Sequence, residues 1–314
     1  MSCIITSGSS FLLLNLTRTI QAYGGKKDLT FNKAILQSPG YFPNTSPDQQ
    51  EATLQEFLSL LGVSTLAEAR ALPSSNLIQA NILQVAAAPY SSFIYGPVVD
   101  SSFVPEIPPL LLLHGQFDHN VEIMVGHNAD EGLLFTDPTI TTDDAFNSFV
   151  SNLVPNIESS VVSYIENTLY PPIFNGSMPY TDDIGRSSLL IGEFGLACNT
   201  FYLDTGFLND TYSYIFSVPP ALHGDDVPYT FYVGPYGSQY DSVLFNTTVA
   251  AVLQDYITSF AVNGQPSTAV QDVPSFGKYG PNAVVSNLGS TGITRIMDNV
   301  ANSRCKWWQL GLYI

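Results

Sequence analysis

Three short apolar runs, each stopped by turn-forming residues, constrain the fold of this chain more than any other feature. Lys33-Ala-Ile-Leu-Gln37 runs into Ser38-Pro39-Gly40, and Val121-Glu-Ile-Met-Val125 runs into Gly126. Thr211-Tyr-Ser-Tyr-Ile-Phe-Ser217 runs into Val218-Pro219-Pro220. Runs of this length suit buried parallel strands, although periodicity alone leaves a buried helix open. Between them lie segments with helix start signals. Ser46-Pro47-Asp48 leads into Ala52–Leu61, and Thr141-Thr142-Asp143-Asp144 leads into Ala145–Leu153. Thr181-Asp182-Asp183 opens a run through Leu203, and Thr247-Thr248 opens Val249–Val262. Strands alternating with helices predict an α/β fold built on a parallel sheet. Three strands are few for 314 residues, so the pattern predicts part of a doubly wound domain with helical insertions. No repeat, low-complexity tract or linker divides the chain.

Charge narrows the partners. The chain carries 27 acidic against 10 basic residues, a formal net charge of −17. A nucleic-acid partner is not expected, because phosphate binding needs a Lys/Arg surface, and an anionic membrane is disfavoured on the same ground. No window offers the ~20 apolar residues of a membrane span. The apolar run Phe11–Leu14 lacks the preceding basic residues of a signal peptide. Five Asn-x-Ser/Thr sequons, at Asn15, Asn44, Asn175, Asn209 and Asn246, lean toward a secreted glycoprotein. The three cysteines, Cys3, Cys198 and Cys305, allow one bridge with a spare thiol, or buried unpaired thiols.

The chemistry gathers at two stretches past strand ends, where open α/β sheets build their sites. In Gly126-His127-Asn128-Ala129-Asp130-Glu131-Gly132 a carboxylate can orient a histidine and stabilise its cation. The same spacing also allows Asp130 or Glu131 merely to cap a following helix. In Ala221-Leu222-His223-Gly224-Asp225-Asp226 the histidine suits a general base, with an unperturbed pKa near neutrality. A lone surface histidine fits there too. His114, His119 and Asp118 fit no zinc-ligand pattern, and neither a metal nor an organic cofactor is expected. Near the start stands Gly8-Ser9-Ser10-Phe11-Leu12, a Gly-x-Ser without the second glycine of a nucleophile elbow. Ser10, Glu131 and His223 follow the chain order of the α/β-hydrolase triad.

From Ala22 onward the sequence resembles the type-B carboxylesterase/lipase family, the cholinesterase-like branch of the α/β-hydrolases, and is most similar to fungal secreted members. The resemblance is carried by Ala22-Tyr-Gly-Gly25, Ala34-Ile-Leu-Gln-Ser-Pro-Gly40, Tyr95-Gly-Pro-Val-Val-Asp100 and Val125-Gly-His-Asn-Ala-Asp-Glu-Gly132. It continues through Leu222-His-Gly-Asp225, Tyr256-Ile-Thr-Ser-Phe-Ala261, Asn263-Gly-Gln-Pro266 and Cys305-Lys-Trp-Trp308. It implies the C-terminal part of an α/β-hydrolase domain over 22–314, preceded by an atypical leader at 1–21. It implies Glu131 as triad acid, His223 as general base, and a Cys198–Cys305 disulfide in a secreted protein. The implied substrate is a small-molecule carboxylic ester, cleaved by an acyl-enzyme mechanism.

Counting back without a gap puts the family's Gly-Glu-Ser-Ala-Gly on Gly8–Leu12, which makes Ser10 the nucleophile by position. Phe11 and Leu12 would push bulk into the tight strand-to-helix turn that small residues serve. The sequence therefore predicts a truncated hydrolase domain whose elbow is damaged and whose turnover is lost. The alternative is a non-catalytic cholinesterase-like binding module. Glycan attachment is expected among Asn44, Asn175, Asn209 and Asn246.

Overall fold

The computed structural model describes residues 3–6, 20–26, 29–42, 47–90, 92–96, 98–155, 157–234 and 246–314. Ser10, Asn15 and Asn44 lie outside the described residues. A six-stranded sheet runs through the middle of the molecule in the order β1-β2-β3-β4-β5-β6. Its strands are β1 (Cys3–Thr6), β2 (Lys33–Gln37), β3 (Glu122–Asn128), β4 (Tyr212–Ser217), β5 (Val284–Gly289) and β6 (Gly292–Met297). The first five are parallel neighbours, and β6 turns back antiparallel on β5. Sheet order equals chain order, so each parallel step is a crossover, and from β2 to β5 the described crossovers carry helices, as parallel sheets require.

The sheet has twice the three strands expected from sequence. The hairpin β5–β6 escaped because β6 buries only Ile293 and leaves four of its last five residues exposed. An edge strand of that kind carries no continuous apolar run for a sequence reading to find. The central strands do. Residues of β2 are buried throughout, and β3 is buried from Ile123 on. Alternate side chains supply two cores: Ala34, Leu36, Ile123 and Val125 on one face, Ile35, Met124, Tyr214 and Phe216 on the other. Each buried Leu, Ile or Phe contributes roughly 1.5–3 kcal/mol by leaving water.

The helices are α1 (Pro47–Leu61), α2 (Leu66–Ala71), α3 (Ser74–Ala87), α4 (Pro108–Leu113), α5 (Asp143–Leu153) and α6 (Ser159–Tyr164). They continue with α7 (Asp183–Gly192), α8 (Cys198–Gly206), α9 (Val227–Thr230), α10 (Thr247–Asn263) and α11 (Ser303–Gln309). The start signals act as expected at α5, where Thr142 accepts from Ala145 N, and at α7, where Asp182 accepts from Gly185 N. At α10 the cap is Asn246, not Thr247 or Thr248: its Oδ1 accepts from both Thr248 N and Val249 N. The expected long run from Asp183 is one helical stretch in which five residues, Glu193–Ala197, widen into a π-turn between α7 and α8.

Two buried ties fix the helical layer that backs the site. Cys198 and Cys305 are disulfide-bonded at a sequence separation of 107. A cross-link closing a loop of that length stabilises by about 4–5 kcal/mol on chain-entropy grounds. Arg186 is fully buried in α7. It donates to Asp143 (2.6 Å), to Asp183 (3.1 Å) and to the carbonyls of Glu166 and Tyr170 (2.9 and 2.6 Å). A buried guanidinium with acceptors on four residues, stacked on the Phe146 ring of α5, ties α5 and α7 to the backbone at Glu166 and Tyr170. Among the described residues no helix is long and apolar enough to cross a membrane.

Candidate active site

The site forms where β2, β3 and β4 end side by side. Strand β3 extends three residues past its expected end, so Gly126, His127 and Asn128 are strand and the chain turns only at Ala129. Gly126 has no alternative at its position, because a Cβ there would collide with the Tyr214 ring of β4. Beyond the strand, Asp130 N donates to Ala221 O (2.9 Å), and Asp130 pairs with Leu222 in an isolated parallel bridge. This bridge ties the loop holding Glu131 to the loop holding His223. Gly132 then passes so close to α7 that a Cβ would overlap the Ser188 carbonyl oxygen, and Ser188 Oγ donates to Asp130 Oδ1 (2.8 Å).

Glu131 is 3% exposed, and each of its oxygens is used. His223 Nδ1 donates to Oε2 at 2.5 Å. Ser38 Oγ and Asn128 N both donate to Oε1 at 2.6 Å. The capping alternative for this turn is thereby removed. The short helix that follows, Leu133–Phe135, has no side-chain cap, and both acidic side chains point to other partners. Burial pushes the Glu131 carboxyl up, but the His223 hydrogen bond and charge and the Ser38 hydroxyl outweigh it and hold its pKa below the ordinary value. Burial likewise works to discharge His223, and the bond to Glu131, with the charge of Asp226, holds its pKa above the ordinary value. With Nδ1 committed, Nε2 is the ring nitrogen left for proton transfer, and the Phe135 ring lies 5.2 Å from the imidazole.

Three polar residues that the sequence reading passed over complete the arrangement. Ser38 was read only as the first residue of a turn. Its φ of 52° and the φ of 58° at Ala221 put a non-glycine residue in the left-handed region in each loop flanking the pair, an arrangement that concentrates at working sites. Asn128 bridges, with Nδ2 donating to Ser38 Oγ and to Asp226 Oδ1, both at 3.3 Å. Asp226 also accepts from Gln37 Nε2 (3.0 Å). Burial, and then the nearby Glu131 charge, push its carboxyl up to about 6. Nothing local in their sequence strings marks these residues, and only the fold brings them within reach of Glu131.

The remaining candidates fall elsewhere. His114 pairs with Glu106 (3.2 Å), and His119 lies 3.1 Å from the Gly115 carbonyl, so neither joins the site. His127 points to the other face of the sheet, with Nδ1 against its neighbour's carbonyl, Asn128 O (2.9 Å). Among the described residues no group of three or more His, Cys, Asp or Glu is disposed to hold a metal ion. The nucleophile candidate, Ser10, lies outside the described residues.

The profile of the carboxylesterase family matches residues 24–308. The chain is 38% identical over 297 residues to carboxylesterase patB of Penicillium expansum, covering 94% of this chain and 52% of that protein. It is 33% identical over 306 residues to carboxylesterase patB of Aspergillus clavatus, covering 97% of this chain and 53% of that one. The chain thus spans about half the length of the curated relatives it matches. The crystal structure of Aspergillus niger EstA superposes with a TM-score of 0.77 at 19% identity, over 99% of this chain and 65% of that chain, a likeness of fold.

Proposed function

From the premise that this chain belongs to the carboxylesterase family, we propose that Glu131 and His223 are the acid and base of a serine carboxylesterase acting through an acyl-enzyme. The observation that carries this reading is the 2.5 Å bond from His223 Nδ1 to a buried Glu131 whose other oxygen is held by Ser38 and Asn128. Such an imidazole is fixed in one tautomer and one orientation. In the reaction, a serine Oγ attacks the ester carbonyl while His223 Nε2 takes the hydroxyl proton. Glu131 stabilises the imidazolium that results, and His223 then returns the proton to the departing alcohol oxygen. Water repeats the sequence on the acyl-enzyme and releases the carboxylic acid. No metal or organic group is needed for these steps. The Phe135 ring beside His223 favours an ester with an apolar portion.

By position the nucleophile is Ser10, flanked by Phe11 and Leu12 where an elbow uses small residues. On that ground the rate of this chain is expected to be low or absent. The test is hydrolysis of a short activated ester by the purified chain and by His223→Ala. Turnover that His223→Ala abolishes supports the reading, and turnover that survives it overturns the reading. A cooperatively melting, monodisperse chain without turnover favours the second reading, a non-catalytic cholinesterase-like binding module. The disulfide further supports an oxidising, secretory compartment.

A further inference from the structure

Five sequons stand in this sequence, and three of them, at Asn175, Asn209 and Asn246, lie among the described residues. Their surroundings differ sharply. We propose that Asn175 carries an N-linked glycan, and that of these three it is the one the finished fold leaves open to a sugar.

Asn175 sits in a loop where residues 172–177 are all exposed. Its Oδ1 accepts from Ser177 N (3.1 Å) and from Ser177 Oγ (2.7 Å). These bonds engage only Oδ1 and leave the amide nitrogen at the exposed tip of the loop. No hydrogen bond is made by its Nδ2 among the described residues. The loop is anchored behind this tip by Tyr180, whose hydroxyl donates to Pro171 O (2.6 Å). Ile173 and Phe174, each 40% exposed, form an apolar step next to the amide that a sugar ring would cover, a solubilising effect at the surface.

The other two sequons are built into the fold. At Asn209 the sequon threonine, Thr211, is fully buried, and its hydroxyl donates to Asp204 Oδ1. Asn209 itself is half-buried, with its carbonyl accepting from Gly280 N (3.0 Å). At Asn246 the side chain caps α10 with Oδ1 and donates from Nδ2 to Ser290 O (3.1 Å). A sugar on that nitrogen would press against the β5–β6 turn.

The modification is a glycosyl transfer from a lipid-linked oligosaccharyl diphosphate in the secretory lumen. The Asn175 amide nitrogen forms a bond to the sugar's anomeric carbon. The bond from that carbon to the diphosphate oxygen breaks, the lipid diphosphate leaves with the electron pair, and the amide proton goes to base. No oxidation or reduction is involved. Transfer precedes folding, so what the fold decides is which glycosylated product can reach its native state.

This inference rests on the secretory part of the proposed function and is independent of the esterase part. The test delivers the full chain into a fungal secretory pathway behind a cleavable signal sequence. Glycosylated positions in the folded product are then mapped by peptide mass spectrometry after enzymatic deglycosylation. The expected result is modification at Asn175 and none at Asn209 or Asn246. The glycan should vanish in Asn175→Gln and in Ser177→Ala, which leaves the asparagine in place, and persist in Ser177→Thr. A disulfide-bonded product with bare Asn175, or with a glycan on Asn209 or Asn246, overturns this inference alone. A product lacking the Cys198–Cys305 bond overturns the oxidising-compartment reading with it.

Discussion

Two buried carboxylates, one held at the end of β3 and one against β4, end in different charge states. Glu131, beyond the end of the strand, is 3% exposed, and Asp204, in α8, is fully buried. Burial pushes both up. Around Glu131 the opposing partners are an imidazole at 2.5 Å, a backbone N–H and a hydroxyl, and they win: its pKa is held below the ordinary value. Around Asp204 the partners are the Thr211 and Ser213 hydroxyls, with the negative charge of Asp298 nearby, and burial wins: its carboxyl rises to about 8. His127 contributes the smallest of the opposing influences there. Depth alone therefore does not decide which buried acid is ionised. A close, geometrically fixed cation does.

The contrast can be broken most severely at its charged end. Replacing Glu131 with Gln keeps the volume but removes the charge and the tautomer control, so any His223-dependent ester turnover the chain shows should fall to the background of His223→Ala. Steady-state kinetics on an activated ester would measure the loss, and His223-dependent turnover that survives in Glu131→Gln would contradict the assigned role. At the neutral end, Asp204 holds a proton in the folded state that the unfolded chain releases above its ordinary value of 3.8. Its share of stability therefore falls as pH rises from about 4 towards 8. Asp204→Asn should flatten that fall, a difference on the order of 1.4 kcal/mol per pH unit, read from urea unfolding at pH 5 and pH 7.

Smaller changes sharpen the comparison. Ser38→Ala removes a hydrogen bond to an ionised group, worth about 1.5–3 kcal/mol. Because the folded Glu131 pKa lies below its unfolded value, its stabilisation is present above 4.5 and is lost as pH falls through the folded value. In Ser38→Ala that acid-side loss should begin at a higher pH, and an unchanged acid midpoint would exclude Ser38 as a support of the charge. The weakest effect is expected from Asp226→Asn. It should lower the His223 pKa by less than Glu131→Gln does, because Asp226 acts on His223 only through its charge. A larger drop would move the main electrostatic partner from Glu131 to Asp226.

Sequence patterning reached the centre of this molecule and faltered at its rims. Strand β2 lies where the run Lys33–Gln37 predicted it, since a strand buried on both faces leaves an unbroken apolar signature. Strand β6 left none, because its outer face meets water and its inner face offers only Ile293. The site was legible in the same uneven way. Glu131 and His223 stand in short strings whose chemistry is local and whose order is informative. Ser38, Asn128 and Asp226 owe their roles to contacts across 90 or more residues. Nothing in a turn-forming Ser-Pro-Gly marks the serine as a donor to a carboxylate that far along the chain. Asn246 shows the reverse case, where a sequon asparagine turned out to be a helix cap.

The central claim, that a fixed ion pair sets the charge of this site, is open to one direct measurement. The chain has four histidines, so their imidazole ring signals can be followed individually by NMR across a pH titration, in the parent chain and in Glu131→Gln. The account predicts that His223 titrates above its ordinary 6.5 in the parent chain and falls clearly below that parent value in the variant. A His223 titration at or below 6.5 in the parent chain, or one indifferent to Glu131→Gln, would contradict it.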